Sequence, residues 1–256
     1  MNERELRTHL LEMLRFNALR SMGSAQPSRF RVEEEGDLIW SVDPARLDSY
    51  YNRVLGLDRS SIRILERLFA VYAEHGISPQ FDMEPGALCD EVSDALSSRG
   101  FTPQLNLPFL QQTPIEGTPG EVSVARWGPD RADDFLELLG SSGATCEPSV
   151  WAVKRRHYCT DTFRTFVASL DGVPCAWANS LVTGGTAYFA NAFTQPAARR
   201  RGAHTSLLLA RLNDAAALGL ETAWTDVEWG SDSHRNCTRR GFELITVHTH
   251  WRVPAP

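Results

Sequence analysis

The chain has 256 residues, a formal net charge of -6 and a pI of about 5.7. This acidic balance argues against general nucleic-acid binding, because such binding depends on neutralising phosphates with Lys and Arg. No stretch is apolar for long enough to cross a membrane, and residues 1–14 are charged and amphipathic, unlike a secretory signal. Five scattered cysteines without a C-x-x-C pair indicate reduced thiols, so we expect a cytoplasmic protein.

The first half of the chain predicts a mixture of helices and strands. Apolar residues make up 42% of the sequence, which suffices for a packed core in one large domain or two small ones. Helical spacing predicts helices over residues 4–21, 60–74 and 85–98, the first with Leu6, Leu10, Leu14 and Leu19 on one face. Strand patterns occupy residues 30–32, 38–42, 81–83 and 101–109. Residues 113–120, TPIEGTPG, are predicted to be a linker.

A second mixed unit is predicted after this linker. Helices are expected over residues 131–139, 151–158 and 231–240, and from His204 to a stop at Gly219. Strand patterns occupy residues 121–126, 162–170, 174–182, 186–193, 221–228 and 242–253. The dipeptide Asp171-Gly172 predicts a hairpin turn between two of these strands.

The most informative stretch is the turn between strand 186–193 and the helix that follows. Pro196 ends the strand, because proline cannot donate to a sheet ladder. The run Arg199-Arg200-Arg201-Gly202-Ala203-His204 then leads into helical spacing. A basic, glycine-containing turn at a helix N-terminus can bind an anion, because free N–H groups and the helix dipole point the same way. The alternative is a basic surface turn of the kind that most such matches represent.

Arg199-x-x-Gly202-x-His204 resembles the Q/R-x-x-G-x-G/A signature of the GNAT superfamily of acyl-CoA-dependent N-acyltransferases, although His204 replaces the last Gly/Ala. The order of elements over 121–253 is similar to that family. The resemblance implies acetyl-CoA as co-substrate and no metal. The residues that it implies for coenzyme A binding are Ala192, Phe193, Thr194, Arg199, Arg200, Arg201, Gly202, Ala203, His204, Thr205, Ser233 and Asn236.

An internal echo suggests a duplicated domain. Arg99-Gly100-Phe101 and Arg240-Gly241-Phe242 each end a short helix and open a strand. We therefore expect an α/β (α+β) chain with two GNAT-like mixed-sheet domains in tandem. Residues 1–112 would form a degenerate N-terminal domain without an R-x-x-G turn, and 121–256 the domain with the acyl-CoA site. The alternative is that 1–112 is an unrelated α/β domain.

Two carboxylates are candidates for the general base. The resemblance implies direct attack of an amine on the thioester, with a backbone N–H of Phe193 or Thr194 polarising the carbonyl. Asp226 and Glu228 are expected at the carboxyl end of strand 221–228, two positions apart and so on one face, with Glu228 preferred. The glutamate that many members carry early on the central strand would fall at Tyr188, so that base is absent. Proton relay by water is the alternative.

Cys237 is the candidate general acid, because it occupies the position of a tyrosine in many members of the family. The alternative is a small packed cysteine. His248 and His250 share a strand face, but the ligand spacing does not support a zinc site with them.

The sequence therefore predicts an N-acetyltransferase that acts on a primary amine of a small molecule or peptide. The alternative is a non-catalytic acyl-CoA-binding or regulatory module, suggested by Cys237 and His204. Nucleic-acid binding through residues 199–201 conflicts with the acidic balance. No nucleic-acid or membrane partner is expected, and a homodimer is left open.

Overall fold

The structure is a computed structural model that describes residues 1–254. Its α-helices are α1 (Glu3–Arg20), α2 (Leu65–Ala73), α3 (Asp90–Ser97), α4 (Ala132–Gly140), α5 (Pro148–Lys154), α6 (Ala203–Ala217) and α7 (Asp232–Arg239). Its strands are β1 (Arg31–Glu35), β2 (Leu38–Val42), β3 (Arg53–Leu55), β4 (Gln80–Met83), β5 (Thr102–Gln112), β6 (Ser123–Trp127), β7 (Phe163–Leu170), β8 (Val173–Thr183), β9 (Thr186–Thr194), β10 (Thr222–Asp226) and β11 (Glu243–Arg252). None of these helices is long and apolar enough to cross a bilayer.

All described strands belong to one mixed sheet, in the order β1-β2-β3-β4-β11-β5-β10-β9-β8-β7-β6. The two halves of the chain exchange their last strands. β5, from the first half, lies between β10 and β11 and is antiparallel to both. β11, from the second half, lies between β5 and β4. Each half therefore depends on the other for a strand in the middle of its sheet, and the predicted domain limits stay a prediction.

The predicted linker has no helix or strand, but it is fixed along α6. Gly117 exchanges two hydrogen bonds with the Asn213 side chain, at 2.8 and 3.0 Å. A Cβ on Gly120 would lie 2.1 Å from the Ser206 hydroxyl oxygen, so only glycine allows this close approach. Val122 N–H also donates to the Ser206 hydroxyl at 3.1 Å. The segment between the two halves is therefore attached to the helix that follows the basic turn.

α1 covers one face of the sheet across both halves. Its side chains Leu6, Leu10 and Leu14 are fully buried and pack in one cluster with Phe109 of β5 and Trp224 of β10. The prediction for this face is wrong only for Leu19, which is 42% exposed. Leu19 follows Leu14 by five positions, which turns it about 140° away from the buried face.

The opposite face carries three further clusters of buried apolar residues, one in the first half and two in the second. In the first half, α2 and α3 pack on the sheet through Leu68, Phe81 and Leu96. In the second half, α6 packs through Leu208 and Leu212, as their spacing predicts.

Some predicted elements differ from those observed. β3 was not predicted, because polar Asn52 and Arg53 interrupt its short apolar pattern. The helices predicted over 60–74 and 85–98 begin as 3₁₀ turns, Arg59–Ile64 and Pro85–Ala87, and become α-helical only in α2 and α3. The strand predicted over 221–228 ends at Asp226.

Buried His250 predicts a pH-dependent stability. It is 5% exposed on β11, and burial lowers its pKa to about 4. The unfolded chain takes up a proton on this residue near pH 6.5, whereas the folded chain does so only near pH 4, so stability falls as the pH drops between these values. We expect one such group to lower the free energy of unfolding by ~2 kcal/mol when the pH falls from 6.5 to 5.

Urea unfolding at a series of pH values measures this effect. His250→Gln is expected to reduce the dependence between pH 6.5 and 5 by about half, because glutamine takes up no proton, whereas buried His204, whose pKa is also lowered to about 4, still contributes. An equal slope for both chains would show that His250 does not cause it.

Candidate functional site

The candidate site lies where the parallel strands β9 and β10 separate. They pair only from Thr186–Thr222 to Tyr188–Trp224. The Thr225 hydroxyl then donates to the Phe189 carbonyl at 2.9 Å, and beyond this contact β9 stays paired only with β8, on its other side, to its end. Backbone groups on the free side of β9 are therefore available to hydrogen-bond an extended ligand.

A β-bulge lies at the point of separation. The register between β8 and β9 shifts between Asn179–Ala190 and Ala178–Ala192, so Asn191 is an extra residue, with a φ of +28°. A bulge bends its strand and increases the local twist. The predicted ligand-binding residues Ala192, Phe193 and Thr194 follow directly, on the free stretch of β9.

The basic turn begins where this free stretch ends. Arg199 Nε donates to the Thr194 carbonyl at 3.3 Å, which holds the turn against the strand. Arg200 and Gly202 both have left-handed backbone conformations, with φ of +60° and +83°. Gly202 is the N-cap of α6, and no side chain caps this helix end. Its first N–H groups therefore lack intrahelical acceptors, and the exposed guanidinium groups lie beside them in the chain, an arrangement that can attract an anion.

The other predicted residues of the turn lie on the first turn of α6. Ala203 is buried, whereas His204 and Thr205 are partly buried. Burial lowers the pKa of His204 to about 4, so its imidazole is neutral at physiological pH.

His204 joins the turn to the next helix. The Asn236 amide donates to His204 Nδ1 at 3.2 Å, which leaves the proton of the neutral ring on Nε2. Ser233 lies three residues before Asn236 on α7, and the Ser231 hydroxyl caps that helix through His234 N–H. The structure thus brings His204 of α6 and Asn236 of α7 together. His204 stands where the signature has Gly or Ala, and its larger side chain is held by this hydrogen bond.

Asp226 is the carboxylate at the separation of the strands. The Tyr188 hydroxyl donates a hydrogen bond to it from β9. Burial raises the pKa of Tyr188 well above its usual range, and the charge of Asp226 raises it further, so Tyr188 stays a proton donor. This contact gives Tyr188 a place in the site that was not predicted. Alternation on two parallel neighbouring strands could have shown that Tyr188 and Asp226 share a face.

The prediction that Glu228 shares this strand face is wrong. Val227 N–H donates to the carbonyl of Pro108 on β5, but Pro108 has no N–H to return the bond, so the ladder ends there. Glu228 is exposed in the following turn, where its carbonyl accepts from Ser231 N–H.

Cys237 lies in the apolar core beneath the site. It is 4% exposed and clusters with Leu208 and Phe242. Burial raises the pKa of its thiol to about 11, so it is uncharged at neutral pH. This placement fits a packed cysteine, and a role as general acid stays a prediction.

The first half contributes Tyr50 to the same face, a residue that the sequence analysis did not name. The Tyr50 hydroxyl accepts from the Asn17 amide at 2.6 Å and donates to Met13 Sδ at 3.3 Å. Burial of the hydroxyl raises the pKa of Tyr50 to about 12, and the charge of Asp226 acts on it in the same direction. Tyr50 lies in an irregular segment between β2 and β3, where no sequence pattern marks it.

The corresponding turn of the first half is capped by its own carboxylate. After β3 the chain turns at Gly56, and Asp58 accepts a hydrogen bond from Ser61 N–H at 3.0 Å. The bonds from Ser61 and Ser60 lower the pKa of Asp58, which is therefore charged at neutral pH. A negative charge in this position repels phosphate, in contrast to the uncapped end at Gly202.

The two strand histidines do not form a shared site. His248 Nε2 lies 3.0 Å from Glu3, and His250 Nε2 lies 3.4 Å from Asp82. Glu84 is also near His248, with ligand atoms of Glu3, Glu84 and His248 within 4.8 Å of one another. A paired interaction with Arg7, at 2.6 and 2.7 Å, already occupies both oxygens of Glu84.

No protein-family model and no curated protein matches this chain. Solved structures do resemble it. A GCN5-related N-acetyltransferase from Kribbella flavida has a TM-score of 0.69 at 17% identity, over 100% of this chain and 97% of that chain. One from Sphaerobacter thermophilus has a TM-score of 0.63 at 13% identity, over 86% and 81% of the two chains.

A tandem GNAT protein from the clavulanic acid biosynthesis pathway has a TM-score of 0.57 at 12% identity, over 100% of this chain and 98% of that chain. At these identities the likeness establishes the fold. This chain has the GNAT fold, and the predicted fold class is confirmed.

Proposed function

We propose that the protein is an acyltransferase of the GNAT type, which transfers an acetyl group from acetyl-CoA to a primary amine of a small molecule or peptide. The observation that carries this proposal is the continuity of the site. An uncapped helix end with three exposed arginines follows the free edge of β9, which begins beside a carboxylate. Sites for a pyrophosphate, an extended arm and an amine thus lie in sequence.

Each part of this site has a proposed task. The N–H groups of residues 202–205 and the arginines before them bind the pyrophosphate. The backbone of Ala192–Thr194 binds the pantetheine arm, and an N–H of Phe193 or Thr194 polarises the thioester carbonyl. Asp226 accepts the proton of the attacking amine, directly or through water. The Tyr188 hydroxyl orients the Asp226 carboxylate.

A non-catalytic acyl-CoA-binding or regulatory module is the second candidate. The buried Cys237, where many family members have a tyrosine, favours it. Acetyl transfer to a panel of amines and lysine-containing peptides separates the two candidates, with release of the coenzyme A thiol and the mass of the product as readouts. Turnover supports the enzyme, and calorimetric binding of acetyl-CoA without turnover supports the module. The absence of both turnover and binding would exclude both candidates.

We expect one acetyl-CoA to bind per chain. After β3, the Ser61 N–H already donates to the negatively charged Asp58 side chain, whereas no side chain caps the N–H groups at the start of α6, after β9. Isothermal titration of the full chain measures the stoichiometry. Two sites per chain would contradict the proposed inactivity of the first half.

Asp226→Asn is expected to lower kcat by about a hundredfold or more, because a positioned base contributes on the order of 10²–10⁴ to a proton transfer. The loss should be largest below the pKa of the amine, where the neutral amine is scarce. Affinity for acetyl-CoA should change little. The measurement is a pH–rate profile of the variant.

Glu228→Gln is the comparison, and its exposed position off the strand predicts a smaller effect. Glu221→Gln, at the other end of β10, controls for the loss of a negative charge. Unchanged profiles for Asp226→Asn would exclude it as the base and favour an amine that water has already deprotonated.

A further inference from the structure

Arg211 on α6 is a buried cation with no partner of opposite charge. It is 4% exposed, and it forms no ion pair within residues 1–254. Burial lowers the pKa of its guanidinium to about 10. Placing a charge in such surroundings is costly, so its contacts must contribute something that an apolar side chain could not.

The contacts of Arg211 converge on the bulge of β9. Its Nη1 donates to the Asn179 carbonyl at 3.2 Å, at the position of β8 where the register shifts. Its guanidinium carbon lies 4.4 Å from the centre of the Phe189 ring on β9. Its Nε donates to the Leu207 carbonyl of its own helix at 3.3 Å. One side chain therefore connects α6 to both strands at Asn191.

Phe189 is held from two sides. The Thr225 hydroxyl of β10 donates a hydrogen bond to its carbonyl, and the Arg211 guanidinium of α6 stacks on its ring. A bulge locally disrupts a strand ladder, and a shift of one residue would turn every following side chain to the other face. In β9 the residues that follow are Ala192, Phe193 and Thr194.

We propose that Arg211 is a positioning residue that fixes the Asn191 bulge and so sets the backbone of Ala192–Thr194 for acyl transfer. This inference rests on the proposed function. Arg211 also lies two helical turns after His204, about 10 Å along the axis. The same helix thus carries the anion-binding turn at its start and the support of the bulge further on. Arg211 would thereby link the proposed phosphate site to the stretch of β9 where the thioester is proposed to bind.

Arg211→Met is the test, because methionine fills similar space without a donor for the Asn179 carbonyl. We expect kcat to fall about tenfold or more, because small misplacements of reacting groups are costly. The Kd for coenzyme A should rise by a smaller factor, because the contacts proposed for the pyrophosphate are kept. Hydrogen exchange of β9 over residues 190–194 should become faster. Arg211→Lys should recover only part of kcat, because lysine keeps the charge but loses the planar fork.

Arg164→Met is the matched control. Arg164 also joins the sheet to α6, through two 2.6 Å bonds to Asp214, but its side chain donates no hydrogen bond to Asn179 and does not stack on Phe189. It should lower the melting temperature without changing exchange at 190–194 or kcat. The inference is overturned if Arg211→Met keeps the native kcat and exchange, or if Arg164→Met reproduces its effects.

Exchange is measured without substrate, so it separates the two proposals. If the native chain transfers no acetyl group but Arg211→Met alone loosens 190–194, the proposed function fails and the structural part of the inference stands.

Discussion

A fragment that begins at residue 113 is expected not to fold, although it contains α6, the basic turn and Asp226. It lacks β5, so β10 and β11 both lose the strand between them. It also lacks the buried side chains that the first half adds to the shared core, among them Leu6, Leu10, Leu14 and Phe109. Each such side chain stabilises the fold by about 1.5–3 kcal/mol, so the loss approaches the whole stability of a typical domain, about 5–15 kcal/mol.

Circular dichroism and cooperative unfolding of this fragment, beside the full chain, measure the effect. Co-expression with the fragment 1–112 is the control, because the two pieces can still exchange β5 and β11. We expect the pair to recover the fold and acetyl-CoA binding. A cooperative unfolding transition of fragment 113–256 alone would show that the second half is independent.

Gly202→Val is expected to weaken acetyl-CoA binding by about a hundredfold or more, because the proposed site brings phosphate close to the backbone at this residue. A φ of +83° is unfavourable for any residue with a side chain and more so for a β-branched one. The nearest atoms to an added Cβ are Val122 Cγ2 at 3.6 Å and Glu121 Oε2 at 4.0 Å, so the protein interior leaves room for it. The loss would therefore come from backbone strain and crowding at the anion site.

Gly219→Val is the matched control for strain. Gly219 follows the other end of α6 with a φ of +67°, and nothing lies within 4 Å of an added Cβ. It should lower stability and leave the affinity unchanged. Arg200→Ala and Arg201→Ala should each lower the affinity for acetyl-CoA about fivefold to tenfold, as expected for exposed charge-assisted contacts.

Isothermal titration calorimetry of these variants with acetyl-CoA measures the affinities. If Gly202→Val binds acetyl-CoA with native affinity, the site lies elsewhere.

Local signals explain which parts of this protein could be predicted. The basic turn is specified by adjacent residues between Pro196 and His204, and the observed strand end at Thr194 and helix start at Ala203 each lie one residue from the prediction. The helical faces of α1 and α6 follow in the same way from the spacing of their leucines.

Contacts between the halves explain what could not be predicted. β10 ends at Asp226 because the next residue, Val227, lies opposite Pro108, a residue of the first half. The alternation of apolar and polar residues within 221–228 carries no information about that neighbour, so the pattern alone predicts a strand that extends to Glu228. The charge of Asp226 raises the pKa of Tyr50, a residue of the first half, for the same reason, across an arrangement that only the complete sheet defines.

The exchange of strands also has a consequence for synthesis on the ribosome. β5 is made before the middle of the chain, but its two neighbours, β10 and β11, are the last strands to emerge. We expect its edges to stay unpaired during most of translation, which exposes Leu107, Phe109 and Leu110 to other nascent chains. Slow translation should therefore not help the first half to fold early, and chaperones that shield strand edges should raise the yield of native protein.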